Sequence, residues 1–111
     1  MRIAIVDDLV NERALLRNRL EQALNGRSVQ ADICEYANGE AFIQAAEKQR
    51  FSAAFLDIYM PGANGIDTAR ALRAFDPDCL LIFTTTSTDH ALEGFQVRAM
   101  HYLVKPFTQK D

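Results

Sequence analysis

Short, continuously apolar runs alternate with stretches of helical periodicity along the whole of this chain. Ile3–Val6 is apolar without a break. Leu16, Leu20, Ala23 and Leu24 then recur at helical spacing, and Asn25-Gly26 stops that helix. Val29, Ala31 and Ile33 alternate with Gln30 and Asp32. Asn38-Gly39 precedes a short helix with Phe42, Ala45 and Ala46 on one face. Ala53–Leu56 is a second apolar run and ends in Asp57. A loop with Pro61, Gly62 and Gly65 leads to a helix marked by Ile66, Ala69 and Leu72, which stops before Pro77. Leu80–Phe83 is apolar again and ends in Thr84-Thr85. Leu92, Phe95 and Ala99 mark another helix, and Tyr102-Leu103-Val104 a last strand closed by Lys105-Pro106.

Five strands alternating with four helices predict an α/β fold with a mostly parallel sheet. Four of the strands are continuously apolar, as strands covered on both faces must be. The second alternates apolar with polar residues, which places it at an edge. At 111 residues and 49% hydrophobic, the chain suffices for one domain with one core.

Ligands of open parallel sheets bind outside the carboxyl ends of the strands. At those ends this sequence places Asp7 and Asp8, Asp57, Thr84 and Thr85, and Lys105. Each has a bland reading by itself: Asp7-Asp8 as a helix start, Asp57 as a solvated loop acid, the threonines as a polar loop, Lys105-Pro106 as a turn. Their coincidence on one rim argues for chemistry. Clustered carboxylates repel unless a cation joins them. Oxygen ligands suit a hard ion such as Mg²⁺. An aspartate can also be a nucleophile that forms an aspartyl-phosphate. Phosphoryl transfer then needs its equatorial oxygens neutralised. Mg²⁺, Lys105 and the Thr85 hydroxyl would take one oxygen each.

Composition removes other classes. Twelve basic against fifteen acidic residues give a net charge of -3 without a basic stripe, so this segment is a poor nucleic-acid binder. No GxGxxG or P-loop glycine pattern occurs. The first residues do not form a signal peptide, and no run approaches transmembrane length. Cys34 and Cys79 are far apart and read as buried thiols of a reducing cytosol, so a cytoplasmic location is expected.

Ile5-Val6-Asp7-Asp8, the stretch Leu56-Asp57-Ile58-Tyr59-Met60-Pro61-Gly62-Ala63-Asn64-Gly65, then Phe83-Thr84-Thr85, and Tyr102-Leu103-Val104-Lys105-Pro106-Phe107 resemble the receiver domain of two-component response regulators. The pieces are ordered and spread over nearly the whole chain. Ala91-Leu92-Glu93-Gly94-Phe95, with Tyr102 and Lys105-Pro106-Phe107, looks most like receivers that precede a LytTR-type DNA-binding domain. The resemblance implies a flavodoxin-like, doubly wound sheet of strand order 2-1-3-4-5. It implies Asp57 as phosphoacceptor and a sensor histidine kinase as partner. Asp7, Asp8, Asp57 and the Tyr59 backbone carbonyl would hold Mg²⁺. Lys105 would pair with the phosphoryl group, Thr85 would be the switching hydroxyl, and Tyr102 the aromatic that turns inward with it. An ordinary strand aromatic remains the alternative for Tyr102. The Lys105–Pro106 peptide is expected to be cis. The domain would be a regulatory module, modifying and slowly demodifying itself, rather than an enzyme acting on a metabolite.

Some positions depart from that pattern. Thr86 stands where a small residue is usual, which would tighten access to the phosphoryl site. His101 replaces a common acid and reads as a surface residue. Tyr59 is bulky and would shield the acyl phosphate from water. The final helix of the family should follow Phe107, yet the sequence runs only to Asp111, so 1–111 reads as a receiver with that helix largely missing. An uncovered sheet face would favour a homodimer or element exchange. Two other functions compete. A phosphohydrolase with an aspartate nucleophile needs an acid two residues on, where Tyr59 stands. A pseudo-receiver would keep the fold without taking phosphate.

Overall fold

The computed structural model describes residues 1–60, 62, 64–85 and 98–104, with 100–104 described through the backbone alone. The elements are β1 (Arg2–Val6), α1 (Val10–Gly26), β2 (Asp32–Tyr36), α2 (Gly39–Lys48), β3 (Ala53–Asp57), α3 (Gly65–Arg73), β4 (Leu80–Thr85) and β5 (Ala99–Val104). All pairings are parallel, in the order β2-β1-β3-β4-β5. This is the expected topology, with β2 at the edge.

The alternation of side chains along each strand explains the unbroken apolar runs. On β1, Ala4 and Val6 enter a cluster with Phe42, Leu56, Ile66, Leu72, Leu81 and Phe83, beneath α2 and α3. Ile5 faces the other way, onto Leu16 and Leu20 of α1. Phe42 and Phe51 meet edge to face with centroids 5.3 Å apart, and Tyr36 tilts against Phe42 at 5.7 Å. Asn38 and Asn64 cap α2 and α3, their side chains accepting from Ala41 N–H at 2.8 Å and Asp67 N–H at 2.9 Å.

Two expectations shift. The second strand is Asp32–Tyr36 rather than the alternating run that begins at Val29. Val29 is taken up by the end of α1: its N–H donates to Leu24 O at 2.9 Å and Ser28 N–H to Asn25 O at 3.2 Å. This is a Schellman closure, with Ser28 at φ 54° where glycine is usual. Ala99, expected on a helix, opens β5 instead. Arg98, at φ 59°, turns the chain, and a register shift between Leu81 and Ile82 seats the strand. Arg73 secures that turn, donating to Cys79 O at 2.7 Å and Arg98 O at 3.2 Å. Burial lowers the pKa of this guanidinium. The helix expected around Leu92 and Phe95, and everything from Lys105 to Asp111, lie outside the described residues.

Cys34 is half-buried, Cys79 is buried, and both are free thiols. Burial pushes the Cys79 thiol up to about 11. Among the described residues, no helix is long and apolar enough to cross a membrane.

Candidate phosphoacceptor site

The carboxyl ends of β1 and β3 bring three acids together. Ligand atoms of Asp7, Asp8 and Asp57 all lie within 4.8 Å of one another. Asp7 and Asp57 are each 4% exposed, and Asp8 is more open to solvent. Such a group, acidic and partly desolvated, has the donor set of a hard-cation site and could hold a metal ion.

Each acid is placed by its strand. Asp7 follows β1, and its N–H donates to Tyr36 O of β2 at 3.1 Å. Its Oδ1 accepts from Leu9 N–H at 2.9 Å, which shapes the turn into α1. The helix-start reading is thus true only of that turn, because the N-cap of α1 is Leu9 and has no side-chain cap bond. Asp57 ends β3 opposite Thr84, and the ladder continues as Ile58 N–H donates to Thr84 O at 3.1 Å. Tyr59 N–H approaches Asp57 Oδ1 at 3.4 Å, a long hydrogen bond. The Tyr59 side chain is half-exposed.

Gly65 closes the loop after Asp57. Its N–H donates to Ile58 O at 3.0 Å. A Cβ here would sit 2.9 Å from both Asp57 C and Ile58 Cα, so only glycine lets α3 approach the acceptor strand this closely.

Thr84 and Thr85 belong to β4 itself and are buried at 2% and 0% exposure, so the polar-loop reading does not hold for them. Thr85 pairs with Val104 of β5, the residue before Lys105. Lys105 and Thr86 lie outside the described residues, as does the Lys105–Pro106 peptide. Tyr102 is on β5 opposite Phe83, and His101 opposite Ile82, both described by backbone only.

Two residues at this rim escaped the sequence. Arg13 Nη1 donates to the Asp7 carbonyl at 2.6 Å, and its Nε pairs with Glu35 Oε1 at 3.2 Å. Nothing local in the sequence marks this contact, because Glu35 is on β2, at the far side of the α1–β2 crossover. A cavity of about 460 Å³ lies at the opposite end of the sheet, lined by Met1, Glu21, Asn25 and Asp32 among others. It touches none of the acids at the rim.

A parallel sheet in this order, with three acids at the ends of β1 and β3 and buried threonines at the end of β4, defines a switch module of the receiver type. The chain belongs to the response regulator receiver domain family, whose model matches residues 3–111. Its relatives include LytT- and LytR-type regulators, in keeping with the LytTR-like features of its sequence. It is 32% identical over 110 residues to the sensory transduction protein LytT of Bacillus subtilis, which covers 99% of this chain and 44% of that protein. It is 36% identical over 113 residues to the positive alginate biosynthesis regulatory protein of Pseudomonas aeruginosa, covering 100% of this chain and 44% of that one. The chain therefore spans less than half the length of these curated relatives. Among solved structures, the response regulator TrrA of Thermotoga maritima in complex with Mg²⁺ and BeF superposes with a TM-score of 0.81 at 29% identity, covering 96% of this chain and 88% of that one. A receiver of this family is a regulatory switch.

Proposed function

We propose that Asp57 is the phosphoacceptor of this switch and that a sensor histidine kinase is the donor. One observation carries the reading: Asp57 is buried at a strand end with Asp7 and Asp8 within 4.8 Å. An Asp57 carboxylate oxygen attacks phosphorus. The phosphorus–nitrogen bond to the kinase histidine breaks, and the departing imidazole nitrogen takes a proton. The residues fit Mg²⁺, which Asp7, Asp8, Asp57 and the Tyr59 carbonyl would hold; when bound, it supplies neutralisation of the phosphoryl oxygens. Lys105 pairs with a second phosphoryl oxygen and the Thr85 hydroxyl donates to a third.

Thr85 also reads the product out. Its hydroxyl is fully buried on β4, beside β5. Movement of Thr85 toward the phosphoryl group leaves room that Tyr102 fills, which shifts the population between two surfaces at β4 and β5. That surface governs an output domain, of LytTR DNA-binding type, in the cytoplasm. Water later removes the phosphoryl group, and Tyr59 slows this by covering the acyl phosphate. Solved TrrA with Mg²⁺ and BeF suggests the test. Adding beryllium fluoride with Mg²⁺ should shift the backbone amide resonances of β4 and β5 in the parent chain and leave an Asp57→Asn variant unmoved. An unresponsive parent would favour a pseudo-receiver.

A further inference from the structure

A charged bracket ties the start of α1 to β2 directly behind the acidic rim. Arg13 holds two acceptors at once, the Asp7 carbonyl at 2.6 Å and Glu35 Oε1 at 3.2 Å. Arg17, one turn on, takes the other Glu35 oxygen at 2.9 Å. The Arg13 side chain is only 16% exposed. A guanidinium fork suits this geometry because it is planar and presents donors in fixed directions. Asp7 is consequently held at three points: its N–H by Tyr36 O, its carbonyl by Arg13, and its Oδ1 by Leu9 N–H.

Three carboxylates within 4.8 Å repel one another before a cation arrives. Unrestrained, the β1–α1 turn would relax by swinging Asp7 and Asp8 apart. The bracket opposes that movement through the backbone. We propose that Arg13, braced by Glu35, is a positioning residue that holds the Asp7–Asp8 turn so that both carboxylates face one divalent cation together with Asp57. Arg13 touches neither the cation nor the phosphoryl group. The inference rests on the Mg²⁺-dependent reading of the site.

Charge and position make opposite predictions here. A positive guanidinium beside the rim disfavours a second cation, so deleting it on electrostatic grounds alone would tighten Mg²⁺ binding. If positioning dominates, deletion weakens it. Outer contacts that orient metal ligands are commonly worth 10- to 100-fold in affinity.

The test is Mg²⁺ titration of the full chain by calorimetry, on the parent and on Arg13→Met, Arg13→Lys and Arg17→Met, with folding checked by circular dichroism. Arg13→Met should weaken Mg²⁺ binding about 10-fold. Arg13→Lys keeps the charge but loses the fork, and should fall between it and the parent. Arg17→Met breaks a pair to the same Glu35 without touching Asp7, and should stay within about twofold of the parent, as a surface pair implies. Unchanged or tighter binding in Arg13→Met would overturn the proposal. So would equal weakening in Arg13→Met and Arg17→Met, which would mark a general α1–β2 clamp. Should Arg13→Met fail to fold, Arg13→Lys decides by the same comparison. A parent that binds no Mg²⁺ would overturn the reading beneath the proposal as well as the proposal, and is told apart because it appears without any substitution.

Discussion

Replacing Gly65 by alanine should damage phosphoacceptor chemistry more than it damages the fold. The added Cβ would run into the Asp57 carbonyl oxygen and lie 2.9 Å from Asp57 C and from Ile58 Cα. Ordinary contact begins near 3.4 Å, so about half an ångström must be found for the two carbons and more for the carbonyl oxygen. All three obstacles are backbone, at the end of the strand that carries the acceptor, and none can rotate away. Overpacking of this kind costs roughly 1–3 kcal/mol. Helix propensity returns little, since Gly65 is the first residue of α3 after its Asn64 cap. For a domain of this size the thermal midpoint should fall by roughly 5–10 °C. A misplacement of about 1 Å at a reacting group can cost about 100-fold, so half an ångström or more suggests phosphorylation slowed by at least roughly 10-fold. The assay is a mass-spectrometric time course with acetyl phosphate and saturating Mg²⁺, well below the variant's melting temperature. Gly26→Ala is the control, because its Cβ meets nothing within 4 Å. That control should be neutral or stabilising by up to about 1 kcal/mol. A Gly65→Ala protein that melts with the parent and labels within twofold of it would refute the steric argument.

Other consequences are as direct. Ser28 occupies a left-handed position at φ 54°, so Ser28→Gly should stabilise the chain by about 1 kcal/mol in urea unfolding, where a loss would contradict the Schellman assignment. Cys79 keeps its proton in the folded state to about 11. A raised folded pKa means stability present below the unfolded thiol value, about 9, and lost as pH rises through the folded one. The parent should therefore lose up to about 2 kcal/mol more between pH 8 and 11 than Cys79→Ala, and parallel pH profiles would exclude it. Tyr59→Ala should shorten the life of the phosphorylated form several-fold, measured by mass after removal of the donor; an unchanged decay would show that the half-exposed ring does not shield the site.

What the sequence disclosed follows from how local each signal is. β1 is covered on both faces, and β3 and β4 bury one face in the core while Phe55 and Ile82 on the other are partly covered, so their apolar runs stood out, and the acids after β1 and β3 could be placed by position alone. β2 was displaced by three residues because Val29 closes α1 through Ser28, a position where serine gives no glycine-like signal. Ala99 fits a helical spacing with Phe95, but strand pairing to Leu81 outweighs that weak periodicity. Asp7, Asp8 and Asp57 were legible as a cluster. The Arg13–Glu35 bracket was not, because its meaning depends on the α1–β2 crossover and on a backbone carbonyl, which no residue type announces.

Intact-mass measurement after incubation with Mg²⁺ and acetyl phosphate, beside an Asp57→Asn control, tests the central claim most directly. The account predicts one added phosphoryl group on the parent, none on the variant, and loss of labelling when Mg²⁺ is chelated. Equal labelling of parent and variant, or none on a folded parent that binds Mg²⁺, would contradict it.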